Sequence, residues 1–167
     1  MPPGLSLNVA AFAEPLAVAL HAINQAGSLL GANILISGSG PIGALVLLSA
    51  KLAGALSVTM TDIREGPLTV VSELGASKTL NVSSGASELI EKANPRGSFD
   101  IAFDASGSES AVLTAIKNLR PGGSLIQIGT FAKPNISVPA DQLMVKELTM
   151  KSLIASRNGN CGDSWHS

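Results

Sequence analysis

The residues best suited to chemistry are Gly38-Ser39-Gly40-Pro41-Ile42-Gly43 and, further on, Asp62-Ile63-Arg64. Glycine at the first, third and sixth positions lets the chain turn tightly, bares its backbone, and allows the following helix to pack hard on the preceding strand. Such a loop carries weight only between a strand and a helix. Here the apolar run 33–37 precedes it, and helically spaced apolar residues follow from Pro41. The free N–H groups and positive end of that helix would favour a diphosphate. Pro41 has no N–H, so Ile42 and Gly43 supply them.

Asp62 falls nineteen residues after Gly43, behind the predicted strand 57–61. An acid at that distance accepts hydrogen bonds from the ribose of an adenine dinucleotide. Its charge repels a 2′-phosphate, which favours NAD over NADP. Arg64, two residues later, carries a guanidinium that can pair with such a phosphate, so NADP stays open. Small residues behind two later strands, Ala105-Ser106 and Ile128-Gly129, leave room for the cofactor. The expected cofactor site is Gly38, Gly40, Pro41, Ile42, Gly43, Asp62, Ile63, Arg64, Ala105, Ser106, Ile128 and Gly129.

Groups for a chemical step are scarce, and no catalytic residue is expected. A zinc site needs about three protein ligands, whereas the chain has one cysteine and two histidines. Cys161, Asp163 and His166 lie near one another, but in a glycine-rich stretch that makes a poor rigid site. With no tyrosine at all, the Tyr-x-x-x-Lys pair of short-chain dehydrogenases cannot be built.

The elements that must position the loop follow from apolar periodicity. A helix is predicted over 9–26, ended by Gly27, with Pro15 suited to a first turn. Strands are predicted at 33–37, 57–61, 78–82, 99–104, 124–128 and 148–154. Helices at 41–52, 67–74, 86–93 and 108–119 separate them, with a turn at 121–123 and irregular chain over 131–147. This alternation specifies βαβ units and a parallel sheet. The expected fold class is α/β: a doubly wound parallel sheet (Rossmann fold) of six strands in the order 3-2-1-4-5-6. The organisation reads as a leader (1–8), a linker helix (9–27), the dinucleotide-binding domain (28–154) and an irregular tail (155–167).

Composition removes other classes. Eleven Lys+Arg against 12 Asp+Glu, with no basic run, leave no footprint for nucleic acid. The longest uncharged apolar run, 42–50, is less than half a membrane span, so no membrane partner is expected. A single cysteine fits a reducing, cytoplasmic setting. Charged residues make up only 14% of the chain against about 25% in an average domain.

From 12 to 154 the sequence resembles the medium-chain, zinc-type alcohol and polyol dehydrogenases. The resemblance rests on Ala13-Glu14-Pro15-Leu16, the glycine loop and its helix through Ala55, Thr61-Asp62, and Glu73-Leu74-Gly75-Ala76. Phe99-Asp100, Asp104-Ala105-Ser106-Gly107 and Leu119-Arg120-Pro121-Gly122-Gly123 extend it. The stretches 12–18 and 21–27 are most similar to the idonate and sorbitol dehydrogenase branch. The resemblance implies a dinucleotide cofactor, NAD with NADP possible, and zinc in the parent enzyme only. It also implies oxidation of a polyol's secondary alcohol to a ketone, with Glu14 reaching the metal and Gly129 beside the nicotinamide. A full member adds a catalytic barrel, so this segment alone is expected to bind cofactor without turnover. The Gly-Ser pair the family carries after Lys151 is replaced by Ser152-Leu153. The competing class is a stand-alone nucleotide-sensing module. The charge deficit, with Leu16, Leu20 and the sixth strand's edge, predicts a homo-oligomer.

Overall fold

The computed structural model describes residues 6–85 and 99–153. Ser6 opens α1 (Leu7–Ala10) by accepting the Val9 N–H on its hydroxyl. The single helix expected over 9–26 is instead two, because α2 (Ala13–Ala26) starts afresh after Phe12. Pro15 is the reason: its ring would strike the carbonyl of the residue four earlier, so it fits only in a first turn. The face Val18, Ala19, Ala22 and Ile23 is buried, and α2 packs on α3 (Pro41–Leu52).

The strands are β1 (Asn33–Ser37), β2 (Ser57–Asp62), β3 (Lys78–Asn81), β4 (Phe99–Asp104), β5 (Leu119–Gln127) and β6 (Thr149–Ser152). They form one sheet in the order β3-β2-β1-β4-β5-β6, every pairing parallel, as the alternation predicts. β1 lies at its centre, paired with β2 on one side and β4 on the other. Side chains alternate across it. Ile34 and Ile36 join the core with Val46, Leu47 and Ala50 of α3 and Leu68 and Val71 of α4 (Glu65–Glu73). Leu35 points the other way, into the core under Val112, Ala115 and Ile116 of α5 (Glu109–Asn118). Each buried Val, Leu or Ile among these contributes about 1.5–3 kcal/mol relative to exposure, and the alanines less.

Several boundaries differ from expectation, β2 running to Asp62 and β6 spanning only Thr149–Ser152. Leu119 pairs with Phe99, and the next pairing joins Ile101 to Ser124, so Pro121-Gly122-Gly123 bulges within β5 instead of preceding it. Ile128 falls just past β5, and Val82 just past β3, yet the N–H of each still donates to the neighbouring strand. The stretch 131–147 contains a short helix, α6 (Ala140–Val145), with Pro139 before it and Asp141 in its first turn. Lys146 anchors that stretch by donating from Nζ to the carbonyls of Ile116, Lys117 and Leu119 at the end of α5. A cation there complements the negative end of the helix. The helix expected over 86–93 and the tail 155–167 lie outside the described residues. No helix among the described residues is long and apolar enough to cross a membrane.

Candidate functional site

Because all six strands run the same way, their carboxyl ends open onto one edge. Crossovers leave β1 for β2 on one side and β4 on the other, and a crevice forms between them. Gly38 turns the chain out of β1 at φ +94°, a conformation that excludes side chains with a Cβ at low cost. A Cβ there would also come within 2.9 Å of the Ser106 nitrogen. The Gly38 N–H reaches back to the Thr61 carbonyl at 2.8 Å, tying the loop to β2. A Cβ on Gly43 would overlap the Gly38 carbonyl oxygen, so only glycine lets α3 sit so close. Gly40 is the opposite case, with nothing within 4 Å of where its Cβ would stand.

The crevice encloses about 370 Å³, within the range of small-molecule sites. Seven expected residues meet on its walls: Gly38, Gly40, Asp62, Ile63, Arg64, Ala105 and Ser106. Pro41, Ile42 and Gly43 stand behind the loop, in the first turn of α3. There the N–H groups of Ile42 and Gly43 lack intrahelical acceptors, while that of Ala44 returns to the Gly40 carbonyl. Ser37, Thr61, Val82, Ser108 and Ser110 also line the crevice and were not among the expected cofactor-site residues. The hydroxyl residues had no signal there, since isolated serines and threonines at strand ends are common.

Asp62 is buried, and both its oxygens are engaged. Oδ2 accepts the Ser39 N–H at 2.8 Å, and Oδ1 the Arg64 N–H at 3.0 Å. The Arg64 Nε lies 3.5 Å from Oδ1. Burial pushes the carboxyl upward, but the two backbone donors and the guanidinium outweigh it, and the pKa falls below its ordinary value. Asp62 therefore braces the glycine loop and steers the entry to α4 while facing the crevice.

Ile128 and Gly129 do not line the crevice. Gly129 lies against Gly107, where a Cβ would overlap the Gly107 nitrogen. This side is held by Asp104 and Gln127, which the sequence reading did not assign to the site. The Asp104 carboxylate accepts from the Ser106 N–H (2.9 Å), the Ser106 hydroxyl, the Gly107 N–H (3.2 Å) and Gln127 Nε2 (2.6 Å). Gln127 Nε2 also donates to the Gly129 carbonyl at 2.7 Å. The available signal was polarity out of place: Gln127 sits between Leu125-Ile126 and Ile128, interrupting an apolar run.

Glu14 sits exposed in the first turn of α2, away from the crevice lining, where it complements the helix dipole. No group of three or more His, Cys, Asp or Glu able to hold a metal occurs among the described residues. Those residues do not by themselves fit a resident zinc; Cys161, Asp163 and His166 lie outside them. A dinucleotide does fit: Gly40 leaves open space at the mouth of the loop, and the start of α3 presents free N–H groups. Two buried side-chain oxygens without a partner among the described residues, Ser39 Oγ and Gln127 Oε1, also belong to this region.

A doubly wound parallel sheet carrying this glycine loop defines the chain as a Rossmann-like α/β domain. It belongs to the zinc-binding dehydrogenase family, whose model matches residues 41–165. L-idonate 5-dehydrogenase (NAD(P)(+)) of Escherichia coli K12 is 35% identical over 158 residues, covering 94% of this chain and 45% of that protein. Its crystal structure superposes with a TM-score of 0.80 at 34% identity, covering 90% of this chain and 43% of the other. D-xylulose reductase A of Aspergillus niger is 34% identical over 165 residues, covering 96% of this chain and 46% of that protein. A zinc-binding dehydrogenase of Sinorhizobium meliloti 1021, solved with NADP, is 26% identical with a TM-score of 0.82, covering 91% and 46%. The chain spans about half the length of the curated relatives it matches.

Proposed function

We propose that this chain is the cofactor-binding part of an NAD-linked, zinc-dependent polyol dehydrogenase that oxidises a secondary alcohol to a ketone, with L-idonate-like polyols as the substrate class. The observation that carries this reading is the open approach at Gly40 between the first turn of α3 and the Asp62 carboxylate. The loop would hold the diphosphate on the Ile42 and Gly43 N–H groups. Asp62 would accept from the adenosine ribose, and Ile63 would lie along the base. Ala105 and Ser106 would keep the crevice open beside the ribose, and Ile128 and Gly129 would flank the nicotinamide half. Bound there, the dinucleotide supplies the hydride-accepting chemistry, which the described side chains cannot.

In this reading Glu14 meets the metal only in the presence of a catalytic domain, and the 167-residue chain binds dinucleotide without turning over polyol. Calorimetric titration with NAD⁺ should give one site per chain, and an idonate assay with added zinc should give no NADH. Absence of NAD⁺ binding would overturn the cofactor assignment; zinc-dependent NADH formation would overturn the division of labour. Self-association belongs to the same reading. Phe12, Leu16 and Leu20 are substantially exposed along the first two helices, and β6 is an edge strand. Sedimentation at rising concentration should show dimers or larger species, and a clean monomer throughout would count against it.

A further inference from the structure

We propose that a second copy of this chain docks on the leucines gathered around the end of α3, at the amino ends of the strands. Among the described residues, Leu30 (82% exposed), Leu52 (90%) and Leu56 (71%) stand there in solvent, and Leu48, one turn before Leu52, is exposed on the same helix face. The backbone holds them side by side. Gly31 donates its N–H to the Gly54 carbonyl at 2.9 Å, and Leu56 donates to the Ala32 carbonyl at 2.9 Å. A Cβ on Gly54 would come within 2.9 Å of Leu30 Cδ1. Four such side chains make an apolar patch on the order of a few hundred Å², a size that marks an interaction site on a soluble protein.

The occupant follows from position and charge. A catalytic domain, on the cofactor reading above, meets the dinucleotide at the carboxyl ends of the strands, and the leucines lie at the opposite ends. No charged residue occurs over 22–50 or over 52–61, so the patch offers nothing to select a partner of opposite charge. Two cations flank it, and both are engaged. Lys51 Nζ donates to the Leu74 carbonyl, and Arg120 Nε, in a small pocket it shares with Leu30, donates to Asp100 Oδ1 at 2.6 Å. A two-fold contact sets each residue against its own copy. A charge at the axis therefore repels itself, and an uncharged apolar patch does not. A stable contact buries about 800 Å² per partner, with an apolar centre and a polar rim. The leucines supply that centre, and Lys51 with the Asp100–Arg120 pair supplies part of the rim. This contact is separate from the one proposed at Phe12, Leu16 and Leu20.

The test is sedimentation of the full chain over a concentration series, comparing wild type with Leu52→Lys, Leu52→Glu and Leu16→Lys. Wild type should self-associate, and each Leu52 variant should raise the dimer dissociation constant at least tenfold. An equal mixture of Leu52→Lys and Leu52→Glu should associate again, because opposite charges then face one another across the contact. That rescue separates a lost contact from a lost fold. An unchanged dissociation constant in both Leu52 variants overturns the proposal, whatever Leu16→Lys does, and so does a mixture as weak as either variant alone. Wild type sedimenting as a monomer throughout overturns this contact and the one at Phe12, Leu16 and Leu20, while titration with NAD⁺ decides the cofactor reading separately.

Discussion

Around β1 and β2 the crevice is shaped by side chains that are missing. Gly38, Gly40 and Gly43 let one loop turn, open and pack against a helix, and the Asp62 carboxylate is braced by backbone N–H groups. Around β4 and β5 it is shaped by side chains that are present and buried. Asp104, 1% exposed, gathers four donors, and Gln127 ties it to Gly129 across the next strand end. The first region is a steric solution, intolerant of added atoms. The second is a hydrogen-bonding solution, intolerant of lost ones, because a buried donor without an acceptor keeps its full desolvation cost.

The sharpest way to break that contrast is Asp104→Ala. It strands the Ser106 and Gly107 N–H groups and the Gln127 amide together, and should cost about 3–5 kcal/mol of stability. Thermal unfolding should then come earlier by on the order of 10 °C; a shift of a degree or two would show that water replaces the carboxylate freely. Gly43→Ala comes next. Its methyl group must push Gly38 aside at about 1–3 kcal/mol, and a displaced loop should weaken NAD⁺ at least tenfold. If Gly43→Ala loses stability but keeps NAD⁺ affinity, calorimetry will have separated the loop from the cofactor.

A smaller effect is expected in acid. The pKa of Asp62 is depressed below 3.8 in the folded chain, so its contribution is complete above the unfolded value and lost as pH falls through the folded one. Asp100 behaves alike: burial raises its pKa, but the Asn33 N–H at 2.7 Å and Arg120 outweigh that. Denaturation of Asp62→Asn should show a shallower loss of stability than wild type between roughly pH 5 and 3. Equal slopes would mean that the Ser39 and Arg64 donors do not hold the charge. The least consequence is expected at Glu14. Glu14→Gln should move stability by less than about 0.5 kcal/mol and leave NAD⁺ affinity alone; a larger change would bring α2 into the site.

The contrast also explains which parts were legible beforehand. A glycine loop is a local object: its residues are consecutive, and its demands on φ and close approach are demands on residue type. The strand order followed from the alternation of elements, since parallel crossovers leave few topologies. Element ends were less legible. Proline at 15 restricts where α2 can begin, yet the apolar spacing continues unbroken through 9–26. The Pro121-Gly122-Gly123 bulge looked like a turn because only its pairing with β4 draws it into a strand.

Sequence alone therefore determined the fold class, the glycine loop and the acid at the end of β2, because each is written in neighbouring residues or in a repeating period. Tertiary structure decided how that acid is used and what holds the opposite wall. Besides local bonds to Arg64 and Gly129, Asp62 and Gln127 each take a partner twenty-three residues away, at Ser39 and Asp104. Hydrogen bonds between strand ends depend on register and direction, and those exist only once the sheet has closed around them.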